Sequence, residues 1–115
     1  MRQTDVESSD LDKCNNIGYI YSVIITFRDK KTAAIFNGTL VKGVEAKLLK
    51  KARLRLQYLH AAIRFEDLYF PPSNKLHALQ GFTPTRYAIA VDKQWRITFE
   101  WRDRDAFEVC FEDYH

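Results

Sequence analysis

Trp95-Arg96-Ile97-Thr98-Phe99-Glu100-Trp101 (WRITFEW) alternates without a break. Trp95, Ile97, Phe99 and Trp101 fall on one side of an extended chain, and Arg96, Thr98 and Glu100 on the other. That is the pattern of a strand with one buried and one polar face. Moving outward, Ala106–Phe111 repeats it through Phe107, Val109 and Phe111, and Tyr87–Val91 and Leu76–Leu79 are further strand candidates. Asp92-Lys93-Gln94 and Arg102-Asp103-Arg104 read as turns. Strands this close in sequence form an antiparallel meander. A three-residue turn at 102–104 sets Phe99 opposite Phe107 and Ile97 opposite Val109. Strict alternation then sends Asp113 and His115 to the Phe111 face, away from Arg96, unless the tail bends after Phe111 or a bulge shifts the face by one residue.

Upstream of the meander the period changes. Leu48, Leu49, Ala52, Leu56, Leu59 and Ile63 recur every three or four residues, which predicts a helix over Glu45–Ala62 with one apolar face. Lys47, Lys50, Lys51, Arg53 and Arg55 occupy much of the remainder, either as a solvated surface or as a basic face for RNA or an acidic partner. Asp29 is a plausible N-cap for a short helix through Phe36, stopped at Asn37-Gly38. Ile20–Phe27 is apolar and β-branched and reads as a first strand, firmest at Val23–Phe27. Phe65–Leu68 adds a helical turn before Pro71-Pro72. Residues 1–16 are polar and read as a mobile arm. The order β, α, α, then consecutive antiparallel strands indicates an α+β fold, with helices on one sheet face and a site on the other.

The chain has 115 residues, one domain's worth. With 46% hydrophobic and 29% charged residues it is not a disordered chain. The net charge of +3 hides an asymmetry: residues 1–22 carry a net −2 and residues 23–115 a net +5. The basic part fits an anionic partner. No apolar run approaches the ~18–20 residues of a membrane span, and no basic start precedes an apolar stretch as in a secretory signal. Cys14 and Cys110 are too few for a disulfide framework, and His60, His77 and His115 are scattered, so neither a metal cluster nor a cofactor is expected. A reducing cytoplasmic setting follows.

Few residues offer chemistry. His115 titrates near neutrality, and Asp113 and its own carboxylate favour the imidazolium; it is otherwise a frayed end. Arg96 offers a planar fork of donors for phosphate, or an ion pair with Glu108 or Glu100. Lys75 and Arg86 flank the meander and add positive charge. His77 alternates with Lys75 and Leu79, and Tyr114 can stack on a base or pack. Acid–base group, fixed cation, carboxylate and aromatic rings together suit RNA cleavage by the substrate's own 2′-hydroxyl.

Four segments carry a family resemblance: ITFRDKKTAAIFNGTLVKG (25–43), NKLHALQG (74–81), QWRITFEW (94–101) and EDYH (112–115). Together they resemble the HigB family of toxins, the plasmid-maintenance killer proteins of the RelE/ParE superfamily. The resemblance covers about residues 23–115. It implies a RelE/ParE-like fold, two N-terminal helices packed on a curved antiparallel sheet, with residues 1–22 as an extension. A GTG codon at Val23 is then a candidate start. It implies cleavage of mRNA in the ribosomal A site without a metal, leaving a 2′,3′-cyclic phosphate or 3′-phosphate and a 5′-hydroxyl. The implied partner is a HigA-type helix-turn-helix antitoxin, with operator DNA bound only through it, and no membrane.

By position, the resemblance makes His115 the general acid or base. Asp113 and Tyr114 orient the histidine and the mRNA, Arg96 stabilises the transition state, and Lys75 and His77 line the RNA path. Gln80 stands where the family often has lysine, which would supply phosphate charge; Lys75 or Arg86 would have to compensate. Two other readings remain open on the same fold: a ParE-like inhibitor of DNA gyrase, and a catalytically weakened remnant that binds an antitoxin.

Overall fold

A computed structural model describes residues 23–114. The expected mobile arm, the whole 1–22 extension and His115 lie outside the described residues. Two helices, α1 (Lys30–Phe36) and α2 (Ala46–Ala61), precede four strands: β1 (His77–Leu79), β2 (Arg86–Ala90), β3 (Trp95–Arg102) and β4 (Asp105–Asp113). The strands form one antiparallel sheet in the order β1-β2-β3-β4, so the α+β architecture expected from the sequence is the observed one.

Local chemistry sets the helix ends. The Asp29 carboxylate accepts a hydrogen bond from Thr32 N at 2.8 Å and caps α1. The chain leaves α1 through Asn37 and Gly38, at φ +84. A Cβ on Gly38 would stand 2.7 Å from the Arg53 guanidinium, so glycine serves both the left-handed turn and the close approach. Leu49, Ala52, Leu56 and Leu59 of α2 are buried and pack with Ile35, Ile89, Ile97 and Phe99 in one core. Ile63 lies beyond the helix and is 51% exposed, so it does not extend the apolar stripe as expected. A 3-10 turn at Phe65–Tyr69 and another at Pro72–Asn74 lead into β1.

Two register details correct the sequence reading. The β3–β4 turn has two residues, not three: Arg102 pairs with Asp105, and Asp103 sits at φ +59. That moves Ala106, fully buried, onto the core side and Phe107 onto the other side, paired with Glu100 and beneath the Arg102 guanidinium at 3.9 Å. A bulge then intervenes, with Glu108 at φ +51 and the pairing shifted between Thr98 and Glu100. The two one-residue shifts restore the parity of the strand, so Val109 and Phe111 face the core as expected while Phe107 does not. Ile97 is opposite Phe111 rather than Val109.

The described part of the expected first strand, residues 23–27, is not a full strand. It runs parallel to β4 through two isolated bridges, Ile24 with Ala106 and Phe27 with Val109. The bulge interrupts a longer ladder there. Thr26 fills the gap: its Oγ1 accepts from Glu108 N at 2.8 Å and donates to Glu108 Oε2 at 3.0 Å.

Candidate functional site

Arg96 and Glu112 are opposite each other on β3 and β4, on the sheet face turned away from the core. Their side chains form an ion pair at 3.1 Å and are 17% and 30% exposed. The Arg96 guanidinium lies 5.0 Å from the centre of the Tyr114 ring, within cation–π range. Its Nε is buried and has no hydrogen-bond partner. The ion-pair partner is neither Glu100 nor Glu108, the two expected. Glu100 lies 3.6 Å from Arg86, and the Glu108 carboxylate accepts from Thr26.

Tyr114 borders a cleft of about 390 Å³ with Lys75, Ala90, Asp92 and Lys93. A second hollow of about 250 Å³ shares those last four residues and adds Arg55, Ser73 and Val91. Arg55 ties α2 to this region through a hydrogen bond from its Nε to Ala90 O at 2.9 Å. Lys75 is fixed at its backbone: buried Asn74 donates through Nδ2 to Leu68 O and Phe70 O, both at 3.1 Å, and Lys75 follows at φ +50. Its side chain is exposed. Two lysines shared by the two adjoining hollows, with a tyrosine ring at one and an arginine at the other, make a surface suited to a phosphate and a base.

Asp113 is opposite Trp95 and so lies on the other side of the strand from Glu112 and Tyr114. Its Oδ2 accepts from Gln94 Nε2 at 2.9 Å. The alternation expected for Asp113 therefore holds, and it is Tyr114 that shares the Arg96 side. His77 is exposed, and its Nδ1 is 2.8 Å from Lys75 O. A carbonyl only accepts, so this contact selects the tautomer protonated on Nδ1 and leaves Nε2 free. Register sets His77, Ala88, Thr98 and Cys110 in one row, with Arg96 in the next. His77 is thus two strands from Arg96, on the order of 10 Å.

Arg86 is only 4% exposed. Its Nη2 donates to Thr98 Oγ1 at 3.0 Å and Glu108 O at 2.8 Å. Burial, and next the nearby charge of Arg28, hold its pKa below the usual arginine value while the Glu100 charge opposes them. This guanidinium braces the sheet from within rather than standing on its surface. Lys47, Lys50 and Lys51 are exposed on α2. Lys47 and Lys50 border a different groove, about 320 Å³, with Arg53, Leu40 and Ile35. Cys110 is buried, and burial, followed by the charges of Asp29 and Glu112, pushes its thiol up to about 12, which keeps it protonated and unreactive. Asp92, Lys93 and Gln94 are legible in the sequence only as a turn; nothing in their spacing shows that they meet the end of β4.

A model of the RelE-like toxin of the type II toxin–antitoxin system HigB matches residues 25–115. The chain is 32% identical over 93 residues to "Endoribonuclease HigB" of Proteus vulgaris, covering 81% of this chain and 100% of that protein. It is 33% identical over 60 residues to "Toxin HigB-1" of Vibrio cholerae, covering 52% of this chain and 63% of that protein.

Proposed function

The chain belongs to the HigB-like family of RelE-like toxins of type II toxin–antitoxin systems, and from that premise we propose that it is a ribosome-dependent mRNA endonuclease. The observation that carries this reading is the Arg96–Tyr114 stack beside the Lys75 cleft, one residue before His115 in the chain. The similarity to a protein named an endoribonuclease supports it.

In this reading a base takes the proton of an mRNA 2′-hydroxyl. The 2′-oxygen attacks the adjacent phosphorus, the bond from phosphorus to the 5′-oxygen breaks, and that oxygen takes up a proton. The products are a 2′,3′-cyclic phosphate and a 5′-hydroxyl. His115 acts as general acid or base, because imidazole gives and takes protons near neutrality. Arg96 faces the charge that develops on the phosphate. Tyr114 offers a ring to a base, Asp113 orients the histidine, and Lys75 and His77 line the RNA path. Lys47, Lys50 and Lys51 bind ribosomal RNA through phosphates, and Arg86, on the same sheet face as Arg96, braces that face through Thr98 and Glu108. The proposed partner is a HigA-type helix-turn-helix antitoxin, and the proposed setting is the cytoplasm. Among the described residues no helix is long and apolar enough to cross a membrane.

The test is cleavage of mRNA on purified, programmed 70S ribosomes with EDTA present. Wild type is expected to cleave, and His115→Ala to be slower by roughly 10²–10⁴-fold, the usual scale of general acid–base catalysis. Equal rates would remove His115 from the mechanism. Inactivity of both, with inhibition of gyrase supercoiling, would overturn the nuclease reading.

A further inference from the structure

The β2–β3 turn is built to hold something. Asp92 Oδ1 accepts from the N–H groups of Gln94 and Trp95, each at 2.8 Å, and so fixes the turn's shape. Gln94 then reaches the end of β4 twice. Its backbone carbonyl accepts from Tyr114 N at 2.9 Å, and its side-chain amide donates to Asp113 Oδ2 at 2.9 Å. One residue thus holds two successive residues of the strand end, Tyr114 through the backbone and Asp113 through its side chain. A strand's last residues fray unless tied down. These are the residues that flank the Arg96 stack and lead to His115.

We propose that Gln94 is a positioning residue for RNA cleavage: by holding Asp113 and Tyr114 it fixes the end of β4, and with it the Tyr114 ring, against Arg96. This rests on the nuclease reading above. The chemistry demands a donor at this place. An ionised Asp113 is acceptor-only, so glutamine satisfies it, whereas a glutamate of the same shape sets carboxylate against carboxylate. A misplacement of about 1 Å in a reacting group can cost ~10²-fold in rate.

The experiment compares wild type with Gln94→Glu in the ribosome assay and measures amide hydrogen exchange at Tyr114. The variant is expected to lose about 10–100-fold in kcat with KM within about twofold, since Gln94 holds the Arg96–Tyr114 pair in place rather than gripping RNA. Tyr114 exchange should speed by about tenfold as the strand end opens. The variant-to-wild-type ratio should rise as pH falls from 7 toward 5, because a protonated glutamate again donates to Asp113. A purely structural role would instead lower the urea midpoint and speed exchange across the core strands along with Tyr114. Wild-type kcat in the variant, or unchanged Tyr114 exchange, would overturn the proposal. Failure of wild type itself to cleave would overturn the nuclease reading, and the two failures are told apart by the wild-type lane.

Discussion

Arg96 shows what a single residue reveals before a structure exists and what it withholds. Its place on the polar side of an alternating strand is legible, because alternation needs only the sequence. Its partner is not, because pairing depends on register, and register here depends on a tight turn and a bulge. Gln94 is hidden for the same reason: its worth lies in meeting Tyr114, twenty residues on. His60 is legible only as a lone histidine. It is half-buried in the last turn of α2, its Nδ1 accepts from Ile24 N at 3.3 Å, and its ring meets Phe36 at 5.0 Å. Burial lowers its pKa, so the folded protein takes up a proton less readily than the unfolded chain. That contribution to stability is present above the ordinary histidine value of about 6.5 and is lost as the pH falls below it, by at most about 1.4 kcal/mol per pH unit. Urea melts at pH 7 and pH 5 should therefore show a smaller loss of stability for His60→Gln than for wild type. Identical losses would mean that His60 is not the group being titrated.

At the level of elements, the strongest periodicities coincide with what the structure holds. The α2 boundaries, the Asp29 cap and the strand at 95–102 need no tertiary information. β4 does, since its alternation is broken by Glu108 and the break leaves no mark in composition. Because the bulge is an extra residue, its deletion heals the ladder: Phe99 falls opposite Val109, and Ile97 stays opposite Phe111. A Glu108 deletion should fold with its sheet register beyond the bulge intact and forfeit the Thr26 hydrogen bonds and the Arg86 bond to Glu108 O, a cost of about 1–3 kcal/mol. An alanine inserted between Cys110 and Phe111 should instead turn Phe111 out of the core and cost about 3–5 kcal/mol. Denaturant midpoints for the two variants would decide it; equal destabilisation would refute this account of the bulge.

Across the whole molecule, positive charge is divided between two surfaces. Lys47 and Lys50 of α2 border one groove, and Lys75 and Lys93 border the cleft at Tyr114, with no residue in common. If both engage RNA, the α2 set contributes binding and the cleft set orients the reacting strand. Reversing Lys47, Lys50 and Lys51 to Glu should raise KM on ribosomes. It should also flatten the dependence of log affinity on log salt by roughly 0.7–0.9 for each phosphate no longer neutralised. An unchanged salt slope would place those lysines in a solvated face only. The segment 23–28 has a further consequence here. Its backbone bonds to Ala106 and Val109, and Thr32 Oγ1 accepts from Phe111 N, so that β4 does not present a bare row of N–H and C=O groups. At the opposite margin β1 is only three residues long. Open strand margins are where chains recruit one another into aggregates. Among the described residues, this sheet leaves a strange strand a foothold of three residues at most, which suits a protein that has to stay dispersed when no partner covers it.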